Sequence, residues 1–168
     1  MQLVQTRETI DRIALGGGEF SFEDLIRKGD YTAVRHSVKL LNLKSVIPSR
    51  EFVRSLQVEM VPFPALTDTG EIDETLRRLN LVALDPIEFL LWGTLGKRAW
   101  PKQSYFAPKR LELVLTDKET GITFKEYAWL SISTAPNGDI HLCAPDYCKA
   151  GGNGWSGAAV AKPRIAPV

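Results

Sequence analysis

Cysteine and histidine are nearly absent: the 168 residues contain two of each. Two thiols, Cys143 and Cys148, are too few for a disulfide scaffold and stay reduced in a reducing compartment. A charge excess is missing as well. Twenty-one Lys plus Arg stand against 20 Asp plus Glu, and the net charge of +1 removes the bulk electrostatic case for a strongly cationic nucleic-acid binder. Only local basic surfaces remain to consider. Long apolar runs are lacking too: the uncharged stretches Tyr127 to Gly138 and Ala150 to Ala161 are broken by Ser, Asn and Gly and fall short of the roughly 20 apolar residues of a spanning helix. Arg7, Glu8, Asp11 and Arg12 interrupt the place where a signal peptide would be apolar, so the expectation is a cytoplasmic chain with no membrane partner.

What is present is an ordinary globular composition, 44% hydrophobic and 24% charged. A chain of this length buries roughly 70% of its unfolded surface without metal or disulfide staples. One α+β domain over residues 1–148 is expected, with N-terminal helices packed on a mainly C-terminal antiparallel sheet. Lys149 to Val168, with four glycines, two prolines and no usable periodicity, reads as a flexible C-terminal tail.

Helical spacing places Leu3, Ile10, Ile13 and Ala14 on one face of a helix over 2–15, ended by Gly16, Gly17 and Gly18. Ser21 and Asp24 loosely form a capping box for a short helix stopped at Gly29, and Asp30 can cap another through Val34, Val38 and Leu41. Two helices joined there admit a helix-turn-helix reading, but the second has only Arg35 and Lys39 as cations, which favours simple packing. Leu56, Val58 and Met60 alternate with polar residues in a strand expected to end at Pro62 and Pro64. The acidic run Asp68, Glu71, Asp73 and Glu74 lacks calcium-loop spacing and suits the positive end of a helix from about Asp73 to Leu84. Asp85, Pro86 and Glu88 form the clearest start signal in the chain, and the helix they open is apolar on nearly every side, so it needs a core or a partner to cover it.

Alternation dominates the second half. Leu111, Leu113 and Leu115 lie opposite in face to Glu112, Val114 and Thr116, and a longer strand follows from Ile122 to Ser133. On it Ile122, Phe124, Ala128, Leu130 and Ile132 share one face, which Glu126 interrupts, and Thr123, Lys125, Tyr127, Trp129, Ser131 and Ser133 share the other. Asn137 and Gly138 suggest a type I′ hairpin into a third strand, Asp139 to Cys143.

Three chemistries compete for this framework. Between Glu88 and Glu112 no acid occurs, and Lys97, Arg98, Lys102, Lys109 and Arg110 are interleaved with Trp100, Tyr105 and Phe106. Cations attract phosphates and aromatic faces stack on unpaired bases, so this segment, extended by Lys125, Tyr127 and Trp129, suits single-stranded nucleic acid. His141 and Cys143 project from one strand face and Cys148 could fold back toward them as zinc ligands, with Asp146 or His36 as the fourth. Paired Cys-x2-Cys elements are missing, so no cofactor is the first expectation and zinc the alternative. A Cys143–His141 nucleophile lacks an identifiable orienting group, and Gly154-Trp155-Ser156-Gly157-Ala158 departs from a nucleophile elbow at its last residue. The sequence therefore leans away from an enzyme. It favours a small intracellular binding or adaptor protein that contacts another protein or itself, with nucleic acid and zinc as the alternatives.

Overall fold

The computed structural model describes residues 6–11, 22–35, 38, 55–94, 102–144 and 155–164. In chain order their elements are β1 (Thr6–Asp11), α1 (Phe22–Lys28), β2 (Ala33–Val34), β3 (Ser55–Thr67), α2 (Thr69–Arg78), β4 (Leu81–Ala83), α3 (Pro86–Gly93), β5 (Ser104–Thr116), β6 (Thr123–Thr134), β7 (Ile140–Cys143) and β8 (Trp155–Pro163). The strands join in one sheet ordered β1-β3-β8-β5-β6-β7-β2, with β4 also paired to β8. Two pairs, β2 with β7 and β5 with β8, are parallel, so the sheet is mixed.

This corrects the expected segregation of N-terminal helices from a C-terminal antiparallel sheet. Strands run from Thr6 to Pro163, and helices lie on both faces of the sheet. Thr6–Asp11, expected to be helical, pairs with β3 from Thr6 opposite Met60 to Asp11 opposite Ser55. Its β-branched Thr6, Thr9 and Ile10 suit a strand, and a full cross-strand ladder outweighs a loose helical spacing. Val34, expected within a helix, sits in β2 beside Leu142, which removes the helix-turn-helix. Nor does β3 stop at its prolines. Among the described residues β1 pairs only as far as Met60, and none pairs with Pro62 on that side, where a missing N–H costs nothing.

Two helix starts follow their chemistry. Asp68 caps α2 by accepting from the Glu71 N–H at 2.9 Å, so the helix begins four residues before the expected Asp73; Asp68 and Glu71 lie at its positive end, and Asp73 and Glu74 fall in its middle. Asp85 and Glu88 form a complete capping box on α3, each side chain accepting from the other's backbone N–H at 2.9 Å. Phe89, Leu90 and Trp92 of α3 are buried against α1 and the sheet, so the chain itself covers the helix that seemed to need a partner.

The core lies on both sides of the central strands. On the α1/α3 face Leu25, Phe89, Leu90 and Trp92 pack on Tyr105, Leu130, Ile132 and Val160. On the α2 face Ile72 and Leu76 pack on Val61, Phe63, Phe106, Trp129 and Ala159. β8, inside the segment expected to be a flexible tail, separates these layers: Ala158 and Val160 belong to the first cluster, Ala159 and Ala161 to the second. Its small side chains leave room for Phe63 of β3 and Phe106 of β5 to approach to 6.3 Å between ring centroids above it, and Phe106 stacks on Trp129 at 5.5 Å. Gly157 brings β8 close to β5 at φ 130°, where a Cβ would stand 2.2 Å from the Ser104 carbonyl oxygen.

The β6–β7 connection departs from type I′. Gly138 alone has positive φ, its N–H donates to the Ala135 carbonyl at 2.9 Å, and Pro136 occupies the first central position. Proline presets the φ of an ordinary type I turn, and glycine then supplies the left-handed residue that restores the strand twist.

Candidate functional site

The basic and aromatic segment divides when it folds. Lys97, Arg98 and Trp100 lie outside the described residues. Tyr105, Phe106 and Trp129 are fully buried, so none can stack on a base. Lys102 donates to the Pro136 carbonyl at 2.6 Å. Lys109 and Arg110 are exposed where the register of β5 against β6 shifts between Ala107 and Leu111. The Arg110 guanidinium lies 3.3 Å from the centre of the Tyr127 ring, and Lys125 pairs with Glu112 at 3.0 Å. The expected stacking surface is thus dispersed, and two of its cations are engaged within the sheet.

Beyond the shift, β5 and β6 form a two-stranded ribbon, from Leu111 opposite Ala128 to Thr116 opposite Thr123. Its register puts Glu112, Val114, Thr116, Thr123, Lys125 and Tyr127 on one face. That face is tied by the Glu112–Lys125 pair and by the Thr116 and Thr123 hydroxyls, 3.2 Å apart. The other face continues the α1/α3 side through Leu111, Leu115, Phe124 and Ala128, with Glu126 interrupting it between Phe124 and Ala128. Toward the tip its cover ends: Phe124 is 42% exposed and Ile122 63%. The turn beyond is locked. The Asp117 carboxylate accepts from the Glu119 and Thr120 N–H groups at 2.9 and 2.7 Å and from the Thr120 hydroxyl at 2.9 Å. The Thr120 bonds, then the Glu119 bond, hold this carboxyl below its ordinary pKa. Among the described residues, β7 pairs with β6 only from Ser131 to Thr134, and none pairs with the ribbon edge from Thr123 to Leu130.

A second, polar region occupies the α2 face at the opposite end of the sheet. Register places Ser104, Ser133, His141 and Ala33 in one row across β5, β6, β7 and β2, and Phe106, Ser131, Cys143 and Arg35 in the next. The Arg35 N–H donates to the Leu142 carbonyl at 2.9 Å, which fixes where its side chain starts. Arg35 Nη2 lies 3.4 Å from His141 Nδ1, and because a guanidinium only donates, Nδ1 is the acceptor in the tautomer that hydrogen-bonds to it. Burial raises the Cys143 thiol pKa, opposed by the charge and hydrogen bond of Arg35.

His141 and Cys143 therefore share a face as the sequence suggested, whereas Cys148, Asp146 and His36 lie outside the described residues. Among the described residues no three His, Cys, Asp or Glu side chains converge, and a guanidinium beside both candidate ligands opposes a cation there. Sequence reading missed Arg35 and the serines. The hairpin register was a usable signal, since strands meeting about Asn137 must set Ser133 opposite His141 and Ser131 opposite Cys143. Arg35 had no such signal, because a two-residue strand pairing across more than a hundred residues leaves no local pattern. No helix among the described residues is long and apolar enough to cross a membrane. No family model, curated protein or solved structure matches the chain.

Proposed function

We propose that the chain is a small, non-enzymatic cytoplasmic binding protein that engages another protein through the apolar face of the β5–β6 ribbon. The observation that carries this reading is the adjacent exposure of Ile122 and Phe124 on a ribbon whose turn is held by Asp117. Large apolar side chains grouped on a protruding, pre-ordered surface gain free energy when a partner covers them. The β6 edge, unpaired among the described residues, offers backbone groups to the same partner. The free Cys143 thiol fits a reducing compartment.

A photo-crosslinking residue at position 122, used in the native host, tests the proposal. The expected product is one adduct of defined mass that disappears with Phe124→Lys and survives Lys118→Glu at the tip. Adducts confined to the chain itself would sink it. Light scattering on the purified protein is expected to give a monomer, and a stable dimer lost with Phe124→Lys would replace the foreign partner by a second copy. The single-stranded nucleic-acid alternative has thinner support, resting on Lys109 and on a Tyr127 ring already covered by Arg110.

A further inference from the structure

We propose that the polar floor around Arg35, His141 and Ser133 binds a tetrahedral oxyanion of the phosphate type. Arg35 is exposed and forms no ion pair with a carboxylate among the described residues. Its contacts are two weak acceptors, the imidazole Nδ1 and the Cys143 thiol. A guanidinium carries five N–H groups, so this arrangement orients the head while leaving donors and a full positive charge for a stronger acceptor. In the tautomer that makes this contact, the other imidazole nitrogen is a donor.

Hydroxyls complete the set. Ser133 stands directly opposite His141, and its Oγ lies 3.2 Å from that of Ser104, so one hydroxyl donates to the other and the accepting one keeps its proton for an incoming oxygen. His141, Cys143, Ser133 and Ser104 are half-buried, where charge-assisted hydrogen bonds are less screened than on an open surface. Ser104, Ser133 and His141 form one row across β5, β6 and β7 and Arg35 stands in the next, so an anion set over His141 meets donors from both rows. The site lies on the α2 face and the ribbon's apolar surface on the other, so neither proposal depends on the other.

NMR titration of the His141 imidazole resonances with sodium phosphate, at ionic strength held constant with sodium chloride, is the test. A saturable shift is expected, with a matching slowing of Cys143 alkylation by iodoacetamide. Arg35→Gln, an exposed change, should weaken phosphate by about tenfold to a hundredfold, as removal of a charged hydrogen-bond donor does. Ser133→Ala should weaken it by less. Phenyl phosphate in place of phosphate separates the two sources of the group: tighter binding marks an anion carried on a larger molecule, weaker binding a free ion. An unmoved His141, an equal shift in Arg35→Gln, or acetate acting as strongly as phosphate would each overturn the assignment.

Discussion

β6 and β8 lie in the same sheet, one strand apart, yet only one of them looks like a strand before folding. β6 alternates Phe124, Ala128, Leu130 and Ile132 with Lys125, Tyr127, Ser131 and Ser133, although its burial does not alternate: Thr123 to Lys125 are exposed and Ala128 to Ile132 are buried on both faces. β8 presents Gly157, Ala158, Ala159, Val160 and Ala161, four of them buried in alternating clusters above and below the sheet. Both strands are covered on both faces over these spans, but with aromatic neighbours to accommodate β8 has no room for large side chains and so carries no period. Alternation of residue type therefore marks β6 even where both of its faces are covered, and β8 conceals itself because small residues fill both of its faces.

The widest break in this comparison is removal of each strand's defining residues. Truncation after residue 154 should leave a chain that does not fold cooperatively, judged by loss of near-ultraviolet circular dichroism and of a sigmoidal urea transition. β8 joins β3, β4 and β5, and without it the sheet splits between β3 and β5. A folded, cooperative truncated protein would restore the tail expected from glycine content.

Next in size is the contrast between two phenylalanines. Phe106 is fully buried between Phe63 and Trp129, so Phe106→Ala should cost about 4 kcal/mol in urea unfolding. Gly157→Ala follows at roughly 3 kcal/mol, since it adds a clash with the Ser104 carbonyl to a φ that only glycine adopts readily. A neutral Gly157→Ala would mean that β8 does not approach β5 at this point. Asp85→Ala should cost about 1 kcal/mol by opening the capping box of α3, whose Glu88 also pairs with Lys162 of β8.

These magnitudes track what was legible in the sequence. Capping chemistry is local, so Asp85, Pro86 and Glu88 announced α3 with its boundary correct. The β5–β6–β7 meander was legible for the same reason, since consecutive strands joined by short turns carry their partners with them. Parallel pairing was not. β2 with β7 and β5 with β8 join residues far apart in the chain, and nothing in either member names the other. The candidate residues divided likewise: the shared strand face of His141 and Cys143 was legible from alternation, while Tyr105, Phe106 and Trp129 were misjudged because an aromatic among cations looks the same from sequence whether it faces water or the core. Arg35 became visible only once β2 was placed.

The smallest expected effect on stability sharpens the comparison most. Ile122→Ser with Phe124→Ser changes two large apolar residues of the ribbon, yet both sit largely outside the core and should shift unfolding by only about 0.5 kcal/mol. The same double variant should abolish the adduct formed from a crosslinker moved to the neighbouring Thr123. A residue that matters to folding and one that matters to contact then separate along a single pair of strands: Phe106 at the base of β5 would lose stability, and Phe124 near the start of β6 would lose the partner while the protein stays folded. Equal destabilisation by the two changes would show that the ribbon's apolar face is covered by the chain itself, and the contact surface would have to be sought elsewhere.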